Sequence, residues 1–247
     1  MNTHRPGLTA GAPETPVLTT EEKSLSLFET LKTRCAAEWD AYTRHDFVER
    51  LGAGTLPLPV FQDYLIQDFH FLVQFTRANA LATYKSRTLA DLKAAHAATG
   101  AILAETELHL TLTERWGIPR AELEAAAEKQ ATVAYTRYVL DSGMAGDLLD
   151  LSVALAPCTI GYAEIGARLQ PRLAEHVGQG GEHPYREWIG EYSGEELTAA
   201  SRAAVAQLDA LAEGGLSDRR LDELTEVFRT ATRLEADFWQ QALDSAD

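Results

Sequence analysis

The sequence predicts an all-α protein built as one domain, and three observations carry that prediction. Ala and Leu dominate the 247 residues while Val and Ile are sparse, a balance that favours helices over strands. Few segments alternate apolar and polar residues with period two, whereas long stretches repeat them at helical spacing. The breaks between those stretches are short, and none is a linker large enough to divide domains. The expectation is a flexible tail over residues 1–20 and a helical domain over 21–247, with roughly seven to nine helices.

The N-terminal stretch MNTHRPGLTAGAPETPVLTTEE is rich in Thr, Pro and Gly and reads as the tail. It has no apolar segment behind basic residues, so it fits neither a secretory signal nor a typical transit peptide. Helical periodicity starts near residue 21 and runs towards 51, where GAGTLPLP breaks it with glycines and prolines. A second helix is expected over about 60–85, and SRTLAD leads into a third over about 89–115. In WGIPRAELE, Pro119 stands near a helix start, where its missing N–H costs little. A helix over about 132–141 ends at DSGMAGD, and the next covers about 147–173. VGQGGEHPYREW is a loop leading into a short helix. Ser193, with Glu196 three residues on, has the spacing of a capping box. EGGLSD separates the last two helices, and Ser217 is the expected cap of the final one.

Composition narrows the function classes. The hydrophobic share of 45% is enough to bury a sizeable core. A formal net charge of -15 repels phosphate backbones, so nucleic acid is not an expected partner. No run of about eighteen apolar residues appears, so no membrane span is expected. Two cysteines, Cys35 and Cys158, do not make a disulfide framework; reduced thiols in a cytoplasm are the expectation.

Chemistry enters at VALAPCTIGYAEIG. A proline inside a helix removes a backbone hydrogen bond and clashes with the preceding turn, at a cost of about 3 kcal/mol. Pro157 thereby frees the carbonyl of Val153, and Cys158 follows it directly. Tyr162 lies four residues on and shares the cysteine's face, as does Ala154, whose small side chain leaves room for a ligand. The plain alternative is a buried structural cysteine in a kinked helix. No Lys, Arg or His lies within a turn to lower the thiol pKa.

Other apolar faces carry acids. In FQDYLIQDFHFLVQF, Tyr64, Asp68 and Phe71 share a face with Leu72 and Phe75, and an acid there needs a partner or a job. Glu235 stands one turn before Trp239; taken alone it reads as solvent-facing. Tyr135 and Tyr138 form a further aromatic group, and Tyr192 ends YREWIGEY. A rival constellation pairs Glu105 with His109 one turn on, a spacing that can bind metal inside a bundle. It lacks a second Glu-x-x-His motif, so a hydrogen-bonded helix pair is the simpler reading.

Taken together, four ordered blocks resemble the TenA/thiaminase II family, the aminopyrimidine aminohydrolases of thiamin salvage. They are HDFVERLGAGTLPLPVFQDYLIQDFHFLVQF, ALAPCTIGYAEIG, HPYREWIGEYSG and LEADFWQQA. The resemblance implies a haem-oxygenase-like helical bundle, usually a homotetramer. It implies hydrolysis of 4-amino-5-aminomethyl-2-methylpyrimidine without cofactor or metal. Carried over to this chain, Cys158 is the nucleophile and Glu235 the acid/base carboxylate at the leaving group. Asp68 pairs with the aminopyrimidine ring, and Tyr135, Tyr162 and Tyr192 surround it. Phe71 stands where some members carry tyrosine, and Thr159 and Ile160 replace the aromatic residues often found after the cysteine. Asp46 replaces a usual proline outside the pocket. Two alternatives remain open: a metal-dependent oxygenase on the same fold using Glu105 and His109, and a non-catalytic thiamin or pyrimidine binder.

Overall fold

The computed structural model describes residues 25–178 and 180–246, so the expected tail over 1–20 lies outside the described residues. Every regular element among them is helical. The expected helix towards residue 51 is three short ones: α1 (Leu27–Arg34), α2 (Ala36–Thr43) and α3 (Asp46–Gly52). Ser26 caps α1 by accepting from the Glu29 N–H, and His45 caps α3 by accepting from the Phe47 N–H. The breaks at Cys35 and Arg44 carry no glycine or proline, which is why periodicity alone ran through them. They let Phe28, Trp39, Tyr42, Phe47 and Leu51 all turn into the core.

The long helices follow their patterns closely. Helix α4 (Leu58–Lys85) starts behind Pro57, α5 spans Leu89–Arg115, and Pro119 precedes α6 (Arg120–Ala125). Helix α7 (Gln130–Ala145) is longer at both ends than expected, because Gly146 stops it rather than Gly143. Asp147 and Asp150 form a capping box at the start of α8 (Leu148–Ala156). Helix α9 (Tyr162–Gly178), α10 (Arg186–Tyr192), α11 (Glu195–Leu211) and α12 (Asp218–Leu243) complete the order. Ser217 caps α12 as expected, accepting from the Arg220 N–H. Ser193 does not cap α11. It closes α10, its hydroxyl donates to Gln170 and the Gly190 carbonyl, and Gly194 takes the cap position with no side-chain bond.

Pro157 does not produce a simple kink. Residues Pro157–Gly161 form a single π turn between α8 and α9. One extra residue per turn absorbs the missing N–H, a device frequent at functional sites. The run Leu148–Gly178 has a mean hydropathy of 1.4 over its most apolar window, enough by length and composition to cross a membrane, yet 61% of that window is buried inside the bundle.

Helices α4, α7, α8 and α12 build the centre, with α2 and α9 against α12 and the π turn. Arg220 at the start of α12 grips both oxygens of Asp150 at 2.7 Å, tying α12 to α8. Trp239 fills the middle of one continuous core, stacked on Phe47 at 4.7 Å and tilted against Tyr64 and Tyr162, each at 5.2 Å.

Candidate active site

The π turn sets Cys158 half-buried against the core, with no disulfide to Cys35. Its base is held by Tyr42, whose hydroxyl donates to the Pro157 carbonyl at 3.2 Å. Tyr42 and Tyr135 each feel the charges of both Cys158 and Glu235, and burial followed by those charges pushes both phenols well up.

Glu235 is not solvent-facing. Only 1% of it is exposed, on the inner face of α12 among Ala231, Phe238 and Trp239. The Tyr135 hydroxyl donates to its Oε1 at 2.8 Å. Burial drives its pKa to about 8; the Tyr135 bond opposes that rise and the charge of Asp68 adds to it.

Asp68 is also buried and is likewise pushed to about 8, by burial first and by Glu191 second, against a hydrogen bond from Tyr64. Nδ1 of His109 lies 3.4 Å from Asp68 Oδ2 without hydrogen-bond alignment, so that oxygen has no hydrogen-bond partner among the described residues. His109 is therefore turned towards Asp68 and towards the Leu65 carbonyl, 3.0 Å from its Nε2. The metal reading of Glu105 and His109 gains nothing here: the Glu105 side chain lies outside the described ones. No group of three His, Cys, Asp or Glu among the described residues could hold an ion.

The aromatic residues close the shell. Phe71 stacks on Tyr135 with centroids 5.1 Å apart, and Tyr162 lies 5.0 Å from Tyr192. Tyr162 feels the charges of Tyr64, Glu235 and Asp68. All seven residues singled out in the sequence thus meet in one connected network. Tyr42, Trp188 and Glu191 join it unannounced, and His109 joins it in a place other than the metal site the sequence suggested. Glu191 adjoins Tyr192 in sequence, and His109 was read for metal, so both had a signal; Tyr42 had none, because a break in the chain turns it inward.

Two clefts border the network. One of about 340 Å³ is bordered by Asp68, His109, Trp116, Trp188, Glu187 and Glu191. The other, about 210 Å³, is apolar and ends at Phe71 and Tyr135, beside Val139 and Leu155. Two buried carboxyls held protonated at neutral pH, one beside a thiol, make a site able to add a nucleophile and deliver protons without bulk water.

Comparisons with known proteins show the family and the fold. Residues 33–245 match the model of the TENA/THI-4/PQQC family. The chain is 34% identical over 220 residues to the aminopyrimidine aminohydrolase of Halalkalibacterium halodurans, covering 88% of this chain and 96% of that protein. It is similar to the crystal structure of a TenA family transcription regulator from Silicibacter sp. TM1040, at 42% identity and a TM-score of 0.82, over 88% of this chain and 96% of that one. A domain from Shewanella denitrificans described as having a heme oxygenase-like fold shares the fold at 11% identity and a TM-score of 0.70, over 89% of this chain and 93% of that one.

Proposed function

The chain belongs to the TENA/THI-4/PQQC family, and from that premise we propose that it is an aminopyrimidine aminohydrolase of thiamin metabolism. Its substrate is 4-amino-5-aminomethyl-2-methylpyrimidine, which water converts to the hydroxymethyl pyrimidine and ammonia. The observation that supports this most is the buried Tyr135–Glu235 bond at 2.8 Å, whose tyrosine also feels the charge of Cys158.

Direct displacement is hard, because the amine leaves poorly and water attacks weakly; a covalent intermediate divides the barrier. The Cys158 thiolate adds to C6 of the ring. Asp68, neutral at pH 7 with its pKa near 8, offers both a donor for a ring nitrogen and an acceptor for the 4-amino hydrogen. Electrons then move towards the exocyclic carbon and expel the amine, which takes the proton of Glu235 and departs as ammonia. Water adds at the exocyclic carbon and returns a proton to Glu235. The ring gives up its added proton, the C–S bond breaks, and thiolate and hydroxymethyl product are released. Tyr162, Tyr192 and Phe71 wall the ring and keep the pocket dry.

Ammonia release by the purified protein, with Cys158→Ala alongside, tests the reading. Release that disappears in the variant supports it; a fully active variant removes the covalent step. A regulator of DNA is the weaker reading, since a net charge of -15 opposes contact with phosphates. The cytoplasm is the compartment that suits two unpaired-by-disulfide cysteines. A homotetramer is what the family resemblance implies; light scattering decides it.

A further inference from the structure

We propose that His109 is a proton relay for Asp68, linking that buried carboxyl to solvent through the cleft bordered by Glu191. The inference rests on the aminohydrolase reading for the reaction it serves, but its geometry is separate.

Three helices bring the three groups together: Asp68 from α4, His109 from α5 and Glu191 from α10. The tautomer of His109 follows from its partners. Its Nε2 lies 3.0 Å from the Leu65 carbonyl oxygen, which can only accept. Nε2 therefore carries hydrogen in every protonation state, and Nδ1 alone can gain or lose a proton. Nδ1 faces Asp68 Oδ2 at 3.4 Å, and that oxygen has no other partner among the described residues. At that distance the pair can share one proton, held either as acid and neutral imidazole or as carboxylate and imidazolium. A closer approach of a few tenths of an ångström makes the contact a hydrogen bond.

The other charged and titratable groups around the pair are accounted for. Tyr64, Tyr162 and Glu235 lie on the pocket side of Asp68, and Glu191 faces both Asp68 and His109 from the cleft. Glu187, on the same rim, stands 3.9 Å from Arg115. Burial lowers the His109 pKa, favouring the neutral ring with the shared proton on Asp68. In the reaction, Asp68 gives that proton to the ring nitrogen. The Oδ–H bond breaks and an N–H bond forms on the ring. His109, its Nδ1 then bare, takes a proton there from water or Glu191 in the cleft and passes that proton to Asp68. When the thiolate leaves, the same steps run backwards. Asp68 otherwise waits as a buried anion while ammonia departs.

His109→Gln tests this, because a glutamine amide can still donate to the Leu65 carbonyl but cannot titrate. The expected result is a kcat lower by about 10²-fold, a nearly unchanged KM, a flattened pH profile, and partial recovery when imidazole is added. Wild-type kcat and pH profile in the variant overturn the relay. So does a loss of activity with the wild-type pH profile and no imidazole rescue, which marks a packing role. Should the wild type release no ammonia, the aminohydrolase reading fails on its own. The relay is then read by the ring ¹⁵N shifts of His109 in the wild-type protein. Nε2 protonated throughout, and an Nδ1 shift that changes on Asp68→Asn, support it; an Nδ1 indifferent to that change overturns it.

Discussion

The hydroxyl of Tyr135 and the carboxyl of Glu235 meet at 2.8 Å across the interface of α7 and α12, both almost fully buried. The bond opposes the rise that burial imposes on Glu235, so it sets the pH at which this acid surrenders its proton.

Tyr135→Phe removes that restraint. The pKa of Glu235 rises above its present value of about 8, and the basic limb of the kcat profile moves to higher pH. A limb that stays put, or moves down, removes Glu235 as the acid. The profile of ammonia release against pH decides it.

Cys158→Ala is expected to cut turnover by at least about 10³-fold while leaving pyrimidine binding within severalfold. Calorimetric titration of the variant with substrate checks the second half. Loss of binding together with turnover would mean that the thiol shapes the pocket rather than reacts.

Stability should depend on the two buried acids. Asp68 and Glu235 have unfolded values near 3.8 and 4.5 and folded values of about 8. The unfolded chain therefore releases their protons first as pH rises. Their burial costs nothing below the unfolded values, costs progressively more as pH climbs to about 8, and is constant above. Glu235→Gln and Asp68→Asn should each stabilise the fold at pH 8 by on the order of a few kcal/mol, and by much less at pH 4. Denaturant titrations at both pH values test this; equal effects at both would contradict it. Each gain comes with lost activity.

Gly166→Ala places a methyl group onto the backbone carbonyl of Tyr192, where α9 touches the end of α10. Backbone cannot yield as a side-chain tip can, so Tyr192 must shift. The expected cost is about 1–3 kcal/mol, with a loss of activity larger than the fall in Tm explains. A variant with wild-type Tm and rate would show that Tyr192 has slack.

Much of this was legible in the sequence, for reasons that differ by residue. Helices α4 and α5 announced themselves because their patterns are long and their ends carry Pro57 and Arg115. Asp68 stood out because an acid on an apolar stripe is a physical contradiction that only burial with partners resolves. Glu235 did not, since a polar residue one turn from tryptophan is ordinary on a helix surface; only the family resemblance selected it. Tyr42 was invisible, because its inward direction depends on the chain breaks at Cys35 and Arg44, which no glycine or proline marks. The role of His109 was obscured by its sequence neighbour: helical spacing tied it to Glu105, whereas folding gave it Asp68 from another helix.

The π turn at Pro157–Gly161 contains one residue more than an α-helix would use. Wound as α-helix, an extra residue would rotate everything after it by about 100°; taken up as a π bulge, it leaves α9 in phase with α8. One residue can therefore be lost from the turn with α9 still in phase, whereas a second deletion, with no bulge left to absorb it, would swing Tyr162, Ile165 and Leu169 off the core together. Loss of the bulge would thus spare the packing of α9 and be felt at the turn itself, where Cys158 is held.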